Sequence, residues 1–298
     1  MKILVTGASG FVGQNLLIFL KRENANDILP ISIRKELPLD LPFARHYIHL
    51  AGKAHDLKKT ADDQAYFDVN YELTKKLYDR FLQDPTSQTF IFISSVKAAK
   101  DVVEGVLTED VACNPVTPYG KSKLLAEQYI LSHLPENKRV YILRPCMIHG
   151  PGNKGNLNLL YSFASKGLPY PLAAFDNQRS FLSVENLCFV INQLMEKPIP
   201  SGIYQVADDE TYSTNDLIRI MALSLGKSPR LWKVPAGLIT TAAKIGDRLH
   251  LPLNSERLQK LTESYRVSNQ KIKTALGVDL PLSGEEGLMR TFESFKGG

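Results

Sequence analysis

The chain opens with a short apolar run, a turn rich in glycine and then a stretch of helical periodicity. Residues Lys2–Thr6 predict a buried strand, and apolar positions recur at helical spacing over Phe11–Arg22. The turn between them carries Gly7, Gly10 and Gly13 in a GxxGxxG pattern. A strand, a glycine turn and a helix in this order are typical of a dinucleotide-binding unit.

Each part of this unit has a physical role toward a dinucleotide. Gly7 permits the tight turn, Gly10 lets the main chain approach the pyrophosphate, and Gly13 leaves room for close packing of helix and strand. The helix start at Phe11 and Val12 offers unpaired N–H groups and a partial positive charge to the phosphates. The sequence therefore predicts bound NAD or NADP, with these five residues in its site.

Strand and helix patterns alternate along the rest of the chain. Strands are predicted at 27–33, 47–50, 89–94, 139–144 and 203–207, and helices at 65–82, 118–133, 156–166, 184–196, 213–225, 236–249, 268–276 and 284–295. This alternation predicts the α/β class, a doubly wound parallel sheet (Rossmann) with a smaller C-terminal substrate domain. We expect a dinucleotide-binding domain over 1–150 plus about 180–207. The substrate-binding domain is expected over 151–179 and 208–298.

The ends of two predicted strands carry further cofactor candidates. The strand at 47–50 runs into Ala51 and Gly52, and such small residues, with Leu50, would let the main chain lie against the cofactor. The second strand ends near Arg34, where NAD-binding folds usually place an acid that accepts from the ribose hydroxyls. An arginine pairs instead with a 2′-phosphate, which favours NADP, although a solvated loop arginine is the alternative. Only a dozen residues separate Arg34 from the strand at 47–50, which is too few for a full crossover helix and strand. The third strand should therefore be abbreviated, with a remnant at 40–41.

A second set of residues predicts proton-transfer chemistry. Tyr119 and Lys123 are four apart at the start of a predicted helix and so share one face. A nearby ammonium stabilises tyrosinate and lowers the pKa of the phenol, which suits the interconversion of a hydroxyl and a ketone. Ser95, after Ser94 at the tip of a strand, can hydrogen-bond the same oxygen. Tyr71 and Lys75 have the same spacing but lie inside a long helix, and we interpret them as structural.

Taken together, these motifs resemble the extended short-chain dehydrogenases/reductases of the NAD-dependent epimerase/dehydratase family, in its nucleotide-sugar 4-epimerase and 4-keto-reductase branch. The resemblance covers nearly the whole chain and includes the segments 49–51, 94–95, 119–123 and 143–145. It implies catalysis by Ser95, Tyr119 and Lys123, with cofactor contacts from Asn70, Ser94, Tyr119, Lys123 and Pro145.

On the substrate side, the resemblance implies a UDP-sugar held through its diphosphate. Asn156 lies in a segment similar to the family's nucleotide-contacting loop, and Arg179 stands where the family places a diphosphate-binding arginine. Arg257 lies in the C-terminal part and could reach a phosphate, although most arginines on such helices are simply solvated. The resemblance also suggests a homodimer formed through the helices at 65–82 and 118–133.

Three reactions share this machinery. A 4,6-dehydratase usually has Asp-Glu after the strand-tip hydroxyl, but Val96 and Lys97 stand there, so we set it aside. A 4-keto-reductase for bacterial surface-polysaccharide sugars consumes NAD(P)H, and Arg34 favours it; a 4-epimerase with retained NAD is the alternative. A cofactor-sensing protein without catalysis is a further alternative, which the intact Tyr119 and Lys123 pair disfavours.

Composition narrows the classes of partner and the cellular location that the chain could have. The 298 residues are 44% hydrophobic and 22% charged, as in ordinary soluble proteins. The net charge is +5, but the sequence contains no long basic run of the kind that favours binding to nucleic acid. Three widely spaced cysteines favour free thiols and no metal site. The longest apolar stretch is too short to span a membrane. We therefore expect a cytoplasmic enzyme with neither nucleic acid nor membrane as partner.

Overall fold

The protein is described here from a computed structural model that covers residues 2–23, 27–33, 36–38, 40–53, 62–249 and 254–297. Its strands are β1 (Lys2–Thr6), β2 (Asp27–Ile31), β3 (His46–His49), β4 (Thr89–Ile93), β5 (Val106–Leu107), β6 (Arg139–Pro145), β7 (Met147–His149), β8 (Arg179–Ser183), β9 (Gly202–Val206), β10 (Thr211–Tyr212) and β11 (Arg266–Val267). The α-helices are α1 (Phe11–Arg22), α2 (Gln64–Phe67), α3 (Leu73–Gln83), α4 (Pro118–Ser132), α5 (Asn156–Ser165), α6 (Val184–Glu196), α7 (Thr214–Ser224), α8 (Ala236–Leu249), α9 (Ser255–Thr262), α10 (Gln270–Leu276) and α11 (Gly284–Ser294).

The central sheet has six strands in the order β2-β1-β3-β4-β6-β9, and every pair in it is parallel. The order reverses at β1, and the carboxyl ends of β1 and β3 meet there. Ligands bind in such a crevice in open α/β sheets. The predicted α/β class with a doubly wound parallel sheet is confirmed.

Both faces of the sheet are covered, which explains why its strands are nearly all apolar. Ile3 and Val5 point to the face covered by α1 and α6, whereas Leu4 belongs to the cluster under α3 and α4. The alternation follows from the two-residue period of a strand. The helices thus hold the strand ends in fixed positions at one edge.

A further apolar cluster lies outside the sheet and is built from the C-terminal elements and Phe181 of β8. Met221 of α7 and Leu288 and Phe292 of α11 are fully buried in it. Small sheets accompany this region: β10-β8-β7 and β11-β5. Apart from Phe181, the buried residues of this cluster lie inside the region predicted as the substrate-binding domain. The boundaries of that domain stay a prediction.

Two predicted features differ in detail from the observed elements. The helix expected over 65–82 is interrupted by a π-helical turn at Asp68–Glu72 between α2 and α3. Between β2 and β3 the described residues 36–38 and 40–45 form no strand, so even an abbreviated third strand with a remnant at 40–41 is not seen there. The segment is too short for a crossover helix and strand.

Several other properties concern what the chain can bind. All three cysteines are free, as expected. Within the described ranges, no set of three His, Cys, Asp or Glu side chains is arranged to hold a metal ion. None of the helices in these ranges is long and apolar enough to cross a bilayer.

Candidate active site

A cavity of about 720 Å³ lies at the carboxyl ends of β1, β2 and β3, beside the start of α1. Five of the predicted cofactor residues line it, namely Gly7, Gly10, Leu50, Ala51 and Gly52. The sequence pattern does not single out Lys53 and Val69, which also line it. Lys53 is two residues beyond Ala51, so extending the same strand-end argument would have found it.

The glycine turn is shaped by close main-chain contacts. Gly7 has a φ of +72°, and a Cβ there would lie 2.6 Å from the Ala51 nitrogen. A Cβ on Gly13 would lie 2.3 Å from the Gly7 oxygen, so only glycine lets α1 pack this closely against the turn. Gly10 is the N-cap of α1 and makes no side-chain cap, so the first N–H groups at Phe11 and Val12 remain available to an anion. The turn therefore fits the diphosphate of a dinucleotide.

The floor of the cavity is held by Asn70, which lies in the π-helical turn and is fully buried. Its Oδ1 accepts from the Lys53 nitrogen at 2.8 Å, and its Nδ2 donates to the Lys53 oxygen at 3.2 Å. Nδ2 also donates to Ser122 Oγ on α4 at 3.1 Å. Asn70 thus fixes the 50–53 segment against α4, and π-helical turns are often found at functional sites.

The predicted catalytic residues meet at the same place. Thr117 caps α4 by accepting from the Gly120 nitrogen at 3.2 Å, and Pro118 occupies the first helical position. This start places Tyr119 and Lys123 on one face, next to the end of β4. Lys123 Nζ donates to the Ile93 oxygen at 2.9 Å and lies 3.1 Å from where a Gly52 Cβ would be. The lysine therefore lies at the edge of the cavity.

Burial controls the acid–base properties of this group. Burial lowers the pKa of Lys123 to about 8, against a smaller opposing effect of Glu127. Burial also raises the pKa of Tyr119, whereas its hydrogen bond with Ser95 lowers it. Lys123 is not among the groups that shift Tyr119, and the net change is upward, so the lowered pKa expected from a neighbouring ammonium is not found. The tyrosine is thus neutral in this structure, and its hydroxyl is hydrogen-bonded to Ser95.

Beneath this group lies a buried ion pair that joins α4 to β6. Arg144 Nε donates to Glu127 Oε1 at 2.9 Å, and both side chains are at most 1% exposed. Ser94 also donates to Glu127 Oε1. A buried pair of this kind holds the strand tips and α4 in register, because separating the charges would leave one uncompensated.

The residues predicted on the substrate side lie on three other elements. Asn156 is the exposed first residue of α5, and Arg257 is exposed on α9. Arg179 opens β8 and is partly buried, with Nη2 4.0 Å from Glu263 Oε1. Burial lowers the pKa of Arg179, and Glu263 opposes the change. Their roles stay predictions.

Arg179 is nevertheless linked to the catalytic loop. Its main chain forms a β-bridge with Tyr265, whose hydroxyl donates to the Lys100 oxygen at 2.7 Å and to the Val96 oxygen at 3.3 Å. Val96 directly follows Ser95.

The remaining candidates are the second YxxxK pair, interpreted as structural, and two residues predicted to contact the cofactor. Lys75 Nζ lies 5.2 Å above the ring of Tyr129 and Tyr71 packs edge-on against it, which agrees with a structural role for that pair. Pro145 ends β6 and is buried. Arg34 lies outside the described residues, so its predicted contact with a 2′-phosphate stays a prediction from the sequence.

Known proteins similar to this chain include nucleotide-sugar epimerases and a reductase. A UDP-glucose 4-epimerase of Vibrio cholerae is 30% identical, over 98% of this chain and 95% of that protein. A GDP-6-deoxy-D-mannose reductase of Pseudomonas aeruginosa (strain PAO1) is 28% identical, over 74% of this chain and 79% of its own. Among solved structures, a UDP-glucuronic acid 4-epimerase of Bacillus cereus in complex with NAD has a TM-score of 0.77 at 20% identity, covering 99% and 96% of the two chains.

Other proteins of this fold have been solved with NAD or with NADPH. The NAD dependent epimerase/dehydratase family matches residues 3–207, which include the glycine turn, the Ser95, Tyr119 and Lys123 group and Arg179. The first of the relatives is similar over nearly its full length as well. The chain therefore belongs to the NAD dependent epimerase/dehydratase family.

Proposed function

We propose that this protein transfers hydride at carbon 4 of a UDP-hexose or UDP-N-acetylhexosamine, acting as a 4-epimerase. The observation that carries the proposal is the meeting of Ser95, Tyr119 and Lys123 at the edge of the cavity beside Gly52. The full-length similarity to a UDP-glucose 4-epimerase supports the substrate and the outcome. When bound along Gly7 and Gly10, the nicotinamide dinucleotide supplies the hydride acceptor or donor.

The side chains of the protein then handle the proton. Tyr119 in its ionised form takes the proton of the sugar hydroxyl on oxidation, and the neutral tyrosine that results returns the proton to the ketone oxygen on reduction, which is general acid–base catalysis. Ser95 hydrogen-bonds the reacting oxygen and the tyrosine hydroxyl, so the two are aligned. Lys123, with a pKa of about 8, is mostly charged at neutral pH, and an ammonium brought close to the ionised tyrosine would stabilise it.

We expect the negative diphosphate of the substrate to bind the positively charged Arg179, with Asn156 and Arg257 as further contacts. Arg179 is favoured because its β-bridge partner Tyr265 also holds the loop after Ser95. A guanidinium pairs with a diphosphate through charge-assisted hydrogen bonds. The diphosphate would thus anchor the nucleotide while the sugar reaches Tyr119.

A 4-keto-reductase is the second candidate, and two observations favour it. Arg34 follows the second strand, where the sequence predicts a contact with a 2′-phosphate, and the Pseudomonas relative is a reductase. A reductase must exchange its cofactor in each cycle, and NADPH is the usual reductant in biosynthesis. An epimerase instead retains NAD through oxidation, rotation of the ketosugar and reduction.

One experiment separates the two candidates. The purified protein is denatured and the released dinucleotide is identified, and the native protein is assayed with UDP-sugars without added cofactor. Stoichiometric NAD with interconversion of the UDP-sugars supports the epimerase. Little retained nucleotide, with NADPH oxidation on a UDP-4-keto-6-deoxy-hexosamine, supports the reductase, and Arg34→Asp should then reverse the cofactor preference.

The catalytic assignment has a matched control inside the chain. Tyr119→Phe should keep cofactor affinity and fold but lower turnover about 10²–10⁴-fold, the usual range for general acid–base catalysis. Tyr71→Phe, with the same YxxxK spacing, should change turnover little. If Tyr71→Phe were the inactive variant, or if neither change affected turnover, the assignment of Tyr119 would be wrong.

A further inference from the structure

Helix α8 exposes an apolar stripe that no other described element covers. Its buried face consists of Ile239, Ala243 and Gly246. Leu238, Ile245 and Leu249 are exposed to 64%, 51% and 64%. With Ala242 they recur at i, i+4, i+7 and i+11, which places them within about 60° on the helix surface. We call these four residues the α8 stripe.

The chain around the stripe is strongly cationic. The segment 227–249 holds five cationic residues and one carboxylate, a net charge of +4, although the whole chain carries only +5. The cations are Lys227, Arg230, Lys233, Lys244 and Arg248, all of them exposed. Lys244 and Arg248 lie on the helix face that adjoins the stripe on the side away from Ile239. The apolar stripe is thus bordered by positive charge.

An exposed aromatic residue lies in the segment that leads into α8. Trp232 is 60% exposed, although its main chain is held by hydrogen bonds with Tyr170 and Ala173. Its neighbours Leu231 and Val234 pack against the C-terminal apolar cluster, which fixes the segment that leads into α8. Indole side chains favour the boundary between water and the lipid headgroups, where one end is apolar and the other wet.

Although composition predicts no membrane partner, we propose that α8 and the segment before it bind the surface of an anionic lipid bilayer. An amphipathic helix with an apolar stripe, adjoining lysine and arginine and a nearby tryptophan has the composition of helices that lie in the membrane interface. Each cation near an anionic surface strengthens the binding further. At 14 residues α8 is too short to span a bilayer, so the helix lies on the surface.

The charge distribution favours a lipid surface over a second copy of the chain. In a two-fold dimer through the stripe the same surface meets itself, so Lys244 and Arg248, which border it, would be brought toward their own copies. An anionic bilayer instead offers the opposite charge to the cations and an apolar layer to the stripe. The inference is independent of the proposed function, since α8 contributes no residue to the cavity or to the catalytic group.

The test is flotation of the full chain with vesicles. One set contains phosphatidylcholine alone and the other about 30% phosphatidylglycerol, at low and at high salt. We expect the protein to float with the anionic vesicles at low salt and to be largely released at high salt. Binding should be weak with phosphatidylcholine alone, because only the stripe then contributes.

Two double variants separate the contributions. Leu238→Ser with Ile245→Ser should lower binding to anionic vesicles about tenfold or more. Lys244→Gln with Arg248→Gln should lower it about fivefold per cation and weaken its salt dependence. The control is Ile18→Ser with Leu134→Ser, two apolar residues that are exposed elsewhere and should leave binding unchanged. Turnover of a soluble UDP-sugar and the melting temperature report whether each variant is folded.

Three results would overturn the proposal. Failure of the wild type to float with any vesicle would refute it directly. Equal binding by the stripe variants, the cation variants and the wild type would show that α8 is not the contact. Sedimentation showing a dimer that the stripe variants dissociate, with no vesicle binding, would assign the stripe to a second copy instead.

Discussion

Lys123→Met should abolish turnover and at the same time stabilise the fold. Lys123 is only 4% exposed, and its burial lowers the pKa from the ordinary 10.5 to about 8. That shift corresponds to a cost of about 3 kcal/mol for keeping the charge in the folded protein at neutral pH. Methionine has a similar length and no charge, but it loses the hydrogen bond to the Ile93 oxygen, worth about 1 kcal/mol. We expect a net gain of about 2 kcal/mol at pH 7.

The gain should depend on pH in a defined direction. Below about pH 8 the lysine is charged in both the folded and the unfolded chain, so its full cost is present. Between about 8 and 10.5 the unfolded chain binds one proton more than the folded chain, so the wild type becomes more stable as the pH rises. The advantage of methionine should therefore be largest near pH 7 and should shrink toward pH 10.

Urea denaturation followed by circular dichroism at both pH values measures the effect. Lys121→Met is the matched control, since Lys121 is exposed on the same helix and its replacement should change stability by less than about 0.5 kcal/mol. Equal or lower stability of Lys123→Met at pH 7 would refute the reasoning. A gain that did not change between pH 7 and 10 would show that it arises from packing and not from the charge.

Three further predictions follow from the site. Gly13→Ala should destabilise the protein and weaken NAD(P) binding in a titration, since its Cβ would lie 2.3 Å from the Gly7 main-chain oxygen. The control Gly237→Ala, whose Cβ would meet nothing within 4 Å, should be neutral or stabilising. Equal effects of the two substitutions would contradict the close approach of α1 to the glycine turn. Arg179→Ala should raise the KM for a UDP-sugar while cofactor affinity stays nearly constant, and an unchanged KM would remove Arg179 from the substrate site. Glu127→Gln should lower the free energy of unfolding by about 3–5 kcal/mol because Arg144 would remain charged and buried, and a near-neutral result in urea denaturation would count against that pair as a support of the site.

The sequence alone was sufficient for the elements whose signals are local. The glycine turn and α1 follow from steric needs and from a period of apolar residues within the first 22 positions. The limits of α6 and α8 are also those predicted. In each case neighbouring residues carry the information, because backbone conformation and helical periodicity depend on contacts within a few positions. The location of the site at the carboxyl ends of the strands follows as well, once the strands are known to be parallel.

Tertiary structure decided the chemistry inside the site. Asn70 holds Lys53 and Ser122, which lie 17 and 52 positions away, and this contact leaves no local pattern in the sequence. The low pKa of Lys123 results from burial by α4, β4 and the Gly52 segment together, so helix spacing alone predicts its position but not its charge. Burial and pairing depend on atoms brought close only by folding, and an apolar period within one helix does not specify them.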